Sequence, residues 1–191
     1  MAFNLPNTLT WLRIVLIPLF VAVFYLPTSW LTGHMVNLIG TAIFALASAT
    51  DWLDGWLARR LNQTSAFGAF LDPVADKLMV AAALLVLVDL ERAGIVPSLI
   101  IIGREIAISA LREWMAHEGK SKSVAVSFVG KLKTTSQMLA ILLLLYHDPL
   151  LGLDCGWLGQ WLLIVAAFMT LWSMFHYLRM AWLAMKDQPA I

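Results

Sequence analysis

Four aspartates, Asp51, Asp54, Asp72 and Asp76, stand as two pairs in stretches that are otherwise almost wholly apolar. The run Asp51-Trp-Leu-Asp54-Gly55-Trp-Leu-Ala58-Arg59 puts Asp51, Asp54, Gly55, Ala58 and Arg59 at i, i+3, i+4, i+7 and i+8, one face of a helix. In Gly68-Ala-Phe-Leu-Asp72-Pro-Val-Ala-Asp76-Lys77 the second pair falls at i and i+4. A connection of about seven residues makes the two helices antiparallel neighbours, so their acidic faces can meet at similar depth. Carboxylates crowded where water is scarce repel one another and take up protons. Hard divalent ions such as Mg²⁺ or Mn²⁺ relieve that repulsion, because oxygen donors suit them. Two such ions bridged by carboxylates are the apparatus that clamps a phosphoryl group during in-line displacement. Gly55 and Ala58 leave room on the same face for a bulky ligand to approach the backbone.

Two blander readings compete. The aspartates could form structural ion pairs with Arg59, Arg60 and Lys77, but one or two cations do not neutralise four clustered anions. An ion transporter also gathers carboxylates inside a membrane. Its site would lie near mid-membrane, whereas these four fall toward one end of their helices.

The elements that carry the aspartates are set by composition. Of 191 residues, 61% are hydrophobic and 13% charged, and the mean hydropathy is +0.81. A soluble domain carries about 25% charged residues, so lipid is the expected solvent and one domain, 1–191, the expected organisation. A membrane-crossing helix needs about 20 residues, and on that scale six spans are expected, at about 9–26, 35–59, 67–88, 95–115, 124–146 and 157–180. Thr8 or Thr10 caps the first, which stops at Pro27. Its apolar stretch lacks a following cleavage site and should remain as a membrane helix. Cys155 reads as a loop residue, and His34, His117, His147 and His176 read as interfacial residues at helix ends.

Orientation follows from Lys and Arg. Arg13, Arg59, Arg60, Lys77, Arg112, Lys120, Lys122, Lys131, Lys133, Arg179 and Lys186 fall on one side, Arg92 on the other, and Arg104 near the middle of a span. The expectation is therefore an all-α integral membrane protein with six transmembrane helices. Both termini would be cytoplasmic. No nucleic-acid partner is expected.

The aspartate segment reads D-x2-D-G-x2-A-R-x8-G-x3-D-x3-D and resembles the signature of the CDP-alcohol phosphatidyltransferase family, with no departure at a fixed position. The resemblance implies that Asp51, Asp54, Asp72 and Asp76 hold two divalent metals, Mg²⁺ or Mn²⁺. It implies that Asp76 also takes the proton from the attacking hydroxyl. Gly55, Ala58 and Arg59 would line the cytidine diphosphate site, with Gly68 allowing close approach. Six helices around a polar cavity open to the cytoplasm are implied as well, as is a homodimer in a bacterial inner membrane with the site facing the cytoplasm.

The flanks resemble the glycerol-phosphate branch of that family: Asn4-Leu-Pro-Asn7-x-Leu9-Thr10-x2-Arg13 with Pro18, Gly103-Arg104-Glu105 with Leu111-Arg112, and Gly130-Lys131-x-Lys133-Thr134. The substrates implied are CDP-diacylglycerol and sn-glycerol 3-phosphate, with CMP leaving. Inositol phosphate, serine, choline or phosphatidylglycerol stand as alternative acceptors. Arg112 and Lys131, inside spans near the cytoplasmic end, are the candidates for the acceptor phosphate. Arg104 either binds acceptor or forms a structural network with Glu105. Lys120, Lys122 and Lys133 could simply meet lipid headgroups. Ser127, Lys131 and Thr134 share one face, which either lines the cavity or packs against another helix.

Overall fold

Runs of Leu, Ile, Val, Ala and Phe broken only by short polar segments fold as six helices: α1 (Leu5–Phe24), α2 (Gly33–Leu61), α3 (Ala66–Asp89), α4 (Ile95–His117), α5 (Phe128–Tyr146) and α6 (Cys155–Lys186). The computed structural model describes residues 5–61, 66–117 and 128–186. The side chains of 5–7, 9, 51–61, 66, 67, 69, 70, 117, 128–131 and 184–186 lie outside the described residues. Among the described residues there is no strand, only an isolated antiparallel bridge between Leu150 and Leu153. It closes a turn in which Leu151 and Gly152 both take positive φ, 52° and 84°, the pairing that a tight hairpin demands.

All six expected helices are present, with shifted ends. α1 begins at Leu5 rather than at a Thr8 or Thr10 cap. Pro6 suits a first helical turn, where the N–H that proline lacks would be unbonded anyway. Thr10 is therefore buried inside the helix. Among the described residues α5 runs from Phe128, with the expected start at 124 outside them, and α6 continues to Lys186 rather than 180. Cys155 is a buried first residue of α6, not a loop residue. Among the described residues, two helices contain a segment long and apolar enough to cross a membrane, Gly33–Thr50 and Cys155–Leu183. Shorter apolar stretches occupy Thr10–Phe24 and Leu132–Tyr146. Asp72, Asp76 and Lys77 interrupt the apolar run of α3, and Arg104, Glu105 and Arg112 interrupt that of α4.

Consecutive helices run in alternating directions, and the main core gathers at one end of the bundle. Phe20, Phe44, Leu84, Leu87, Ile101, Ile141, Leu144 and Leu163 are fully buried there, with a contribution from every helix. Close approach shapes this end: a Cβ at Gly40 would stand 2.2 Å from the Phe24 ring, so α1 and α2 could not pack as they do around a larger residue. The opposite end holds a smaller cluster of Ile108 and Met115 from α4 with Tyr177 and Ala181 from α6. The outer surface is apolar, with Trp30, Trp157, Phe168, Trp172 and Phe175 all exposed, a pattern expected of a surface that meets lipid or a partner.

Polar side chains tie the loops beyond the main core. Arg92 donates from Nη1 to Asn37 Oδ1 at 2.8 Å and to the Leu145 carbonyl at 3.2 Å. Asn37 Nδ2 donates to Asp148 Oδ2 at 3.4 Å, and His34 Nδ1 pairs with the same oxygen at 2.7 Å. One clasp thus links α2, the α3–α4 loop and the α5–α6 loop. His34, hydrogen-bonded to Asp148, holds that carboxyl below its usual range, with Asn37 and Arg92 adding to the effect. A depressed carboxyl stabilises the fold above its unfolded pKa and loses that contribution as pH falls through its folded value. Asp148→Asn should therefore lower thermal stability in detergent at neutral pH. The gap to the parent protein should close as pH falls below the ordinary carboxylate range, and a gap independent of pH would contradict the clasp.

Candidate active site

α3 sets Asp72 and Asp76 one turn apart in its first half, on either side of Pro73. Pro73 lies inside the helix and lacks the N–H that would bond the carbonyl four residues back. From α1, the Thr10 hydroxyl donates to Asp72 Oδ1 and orients that carboxylate. Gly68, one turn earlier on α3, is buried. Asp76 faces a cavity of about 200 Å³ that is also lined by Lys77, by Arg104, Glu105 and Arg112 of α4, by Thr134 and Gln137 of α5, and by Tyr177 of α6. A larger recess of about 530 Å³ shares Asp76, Lys77, Arg104, Glu105 and Arg112 and runs between α3 and α4 past Ser109 and Glu113.

The cations on the far wall are held by a small network. Glu105 Oε1 accepts from Lys133 Nζ at 2.6 Å and from Arg104 Nη1 at 3.2 Å. Arg104 Nη2 reaches Ser173 Oγ at 3.4 Å, so α4, α5 and α6 meet at one carboxylate. The Tyr177 ring lies 5.8 Å from the Arg104 guanidinium carbon and 5.4 Å from that of Arg112. The face of an aromatic ring attracts cations at such distances. Arg112 Nη2 also donates to the Tyr177 hydroxyl at 3.5 Å. Two like-charged guanidinium groups are thereby kept beside a buried ring and along the cavity wall.

Of the site residues expected from sequence, the structure brings Asp76, Arg104 and Arg112 to one cavity, with Asp72 a turn away. Asp51, Asp54, Gly55, Ala58 and Arg59 fall in the last turns of α2, and Lys131 in the first turn of α5, but their side chains lie outside the described residues. Lys120, Lys122 and Ser127 lie outside them entirely. The reading of Lys133 as a headgroup contact is overturned, because its side chain is buried against Glu105. Arg104 does form the network with Glu105, and it lines the cavity as well.

Gln137 and Tyr177 escaped sequence reasoning, and Thr10, expected as a helix cap, instead meets Asp72. The available signal was position: Gln137 lies one turn beyond Lys133, inside a span where an amide needs a partner.

Among the described residues no three His, Cys, Asp or Glu side chains converge as metal ligands. Two of the four expected ligands, Asp51 and Asp54, are outside that set. The described donors, Asp72 and Asp76, are carboxylates one turn apart on a helix face, and their hard oxygens fit a divalent ion such as Mg²⁺ or Mn²⁺.

Residues 3–172 match the family described as CDP-alcohol phosphatidyltransferase. The chain belongs to that family. It is 50% identical over 190 residues to the CDP-diacylglycerol–glycerol-3-phosphate 3-phosphatidyltransferases of Salmonella typhimurium, Shigella flexneri and Escherichia coli K12, covering 98% of this chain and all of each relative. In a CDP-alcohol phosphatidyltransferase the pairing of an acidic wall with a basic one has a direct chemical sense, since both the nucleotide-linked donor and a phosphorylated acceptor are anions. Family membership also implies catalysis that depends on a divalent metal.

The shared carboxylate of Glu105 generates a stability prediction. Removing one partner of a buried pair leaves an uncompensated charge and costs on the order of 3–5 kcal/mol. Glu105→Gln strands both Arg104 and Lys133, whereas Lys133→Met leaves Glu105 with Arg104. Unfolding in detergent should find Glu105→Gln clearly the more destabilised of the two. Equal losses would mean that the carboxylate does not organise the wall.

Proposed function

We propose that the chain transfers a phosphatidyl group from CDP-diacylglycerol to sn-glycerol 3-phosphate, giving phosphatidylglycerophosphate and CMP. The observation that carries this reading is the cavity in which Asp76 of α3 faces Arg104 and Arg112 of α4. Glycerol 3-phosphate is a dianion near neutral pH and needs fixed positive charge beside the carboxylates. Neutral acceptors such as serine or inositol need no such clamp. The relatives named for this reaction, identical at half of their positions, support the same acceptor.

In the step, a glycerol hydroxyl oxygen forms a bond to the phosphorus that carries diacylglycerol. The bond from that phosphorus to the CMP oxygen breaks, and the hydroxyl proton passes to Asp76. Arg112 holds the acceptor phosphate through its planar fork, with Lys131 and Arg104 adding charge. Gly55, Ala58 and Arg59 line the cytidine diphosphate site, and Gly68 lets it approach α3. Asp51, Asp54, Asp72 and Asp76 would hold two Mg²⁺ or Mn²⁺ ions, which when bound neutralise charge developing on the phosphoryl oxygens. Thr10 keeps Asp72 oriented for that role. Attack is direct, with no covalent phosphatidyl-enzyme.

The setting is a bacterial cytoplasmic membrane crossed by six helices, with both termini and the cavity on the cytoplasmic side. The bias of Lys and Arg toward that side supports this orientation. Residues 1–191 act as one domain, and the active form is a homodimer.

Purified protein given labelled CDP-diacylglycerol and a panel of acceptors should release CMP with glycerol 3-phosphate and not with serine or inositol. Asp76→Asn should cut kcat by about 10²–10⁴-fold, the usual loss on removing a general base. Arg112→Ala should raise KM for glycerol 3-phosphate far more than KM for CDP-diacylglycerol, and Arg112→Lys should recover only part of the loss. Near-normal turnover by Asp76→Asn, or an unchanged acceptor KM in Arg112→Ala, would overturn the assigned roles.

A further inference from the structure

Gln137 carries the strongest unassigned signal in the cavity. Its side chain is only 3% exposed, and its Oε1 has no hydrogen-bond partner among the described residues. It lines the same cavity as Asp76, Arg104 and Arg112. A buried amide oxygen left without a donor loses its hydration and gains nothing in return, so such an atom in a cavity wall calls for a donor from solvent or from a bound ligand. Arg104 is 8% exposed, and its Nε is likewise without an acceptor among the described residues. One wall thus presents an orphaned acceptor on α5 and an orphaned donor on α4. A ligand that satisfies both carries a hydrogen-bond donor, such as an O–H group, together with an acceptor. Lipid tails cannot do this, and a simple inorganic cation cannot either.

We infer that Gln137 is a specificity-determining residue that accepts a hydrogen bond from the non-reacting hydroxyl of a polyol phosphate acceptor. The inference rests on the proposed transfer to glycerol 3-phosphate and deepens it. The terminal hydroxyl faces Asp76 and reacts, while the secondary hydroxyl donates to Gln137 Oε1. The phosphate lies toward the arginines, where Arg104 Nε finds its acceptor. A site built to bond a hydroxyl rejects the analogue that lacks it, because the analogue leaves the buried oxygen unpaired again. Gln137 would therefore not hold the phosphate. It would read the carbon skeleton between phosphate and nucleophile.

The test compares glycerol 3-phosphate with propane-1,3-diol monophosphate, which keeps the phosphate and a terminal hydroxyl but lacks the secondary one. The parent enzyme should favour glycerol 3-phosphate by about tenfold or more in kcat/KM. In Gln137→Met, which keeps the length of the side chain and removes the amide, the preference should fall to within about twofold. This ratio is independent of the fraction of enzyme that folds. Gln137→Glu keeps an acceptor oxygen at the same place and should retain the preference while binding both phosphates more weakly. A parent enzyme indifferent to the two acceptors would overturn the inference. So would a Gln137→Met variant that loses activity on both without a change in their ratio, or a Gln137→Glu variant that loses the preference. Should the parent enzyme fail to use glycerol 3-phosphate at all, the proposed reaction itself falls, an outcome separate from these.

Discussion

A charge withdrawn from water must find a counter-charge or a ligand, and the polar end of this bundle is arranged around that requirement. Glu105 meets it for two cations at once, through a single carboxylate oxygen that accepts from Lys133 and Arg104. Because Arg104 also reaches Ser173, this one group ties α4 to α5 and α6 where apolar packing is thin. The fully buried apolar side chains of the main core lie at the other end. Packing therefore holds one half of the bundle, and electrostatics largely sets the half in which chemistry occurs.

The same requirement governs the cavity walls, where α3 brings Asp76 beside Lys77 and α4 brings Arg104 and Arg112 beside Glu105. Arg112 sits beside the Tyr177 ring, and Asp72 is engaged by Thr10. Side chains restrained in this way are ready for a ligand before it arrives, which reduces what binding must spend on ordering them. In the proposed reaction an anionic acceptor would complete the basic wall, and divalent ions would complete the acidic one. A bound state would be closer to electroneutral than either wall alone.

Much of this was legible in the sequence because it rests on local spacing. The i, i+4 relation of Asp72 and Asp76 needs only a helix, and the six apolar runs supplied the helices. Arg104 and Arg112 stood out as charges inside such runs. What remained hidden depended on contacts distant in the chain. Thr10 has the sequence features of a cap, and only the earlier helix start at Leu5 turns it toward Asp72, 62 residues away. Lys133 has the look of an interfacial lysine until Glu105, 28 residues earlier, is brought against it. Tyr177 is a lone aromatic in a helix rich in them, and its role exists only once α4 and α6 pack. A one-dimensional pattern reports which face a residue takes, not which partner that face will meet.

The central claim is that metal-bound carboxylates and the acceptor phosphate share one cavity at the polar end of the bundle. The most direct measurement is a structure of the protein with Mn²⁺ and glycerol 3-phosphate, with manganese located by its anomalous scattering. The account predicts manganese between α2 and α3 against Asp72 and Asp76, and phosphate against Arg112 within the same cavity. Manganese bound away from those aspartates, or phosphate bound on another surface, would contradict it.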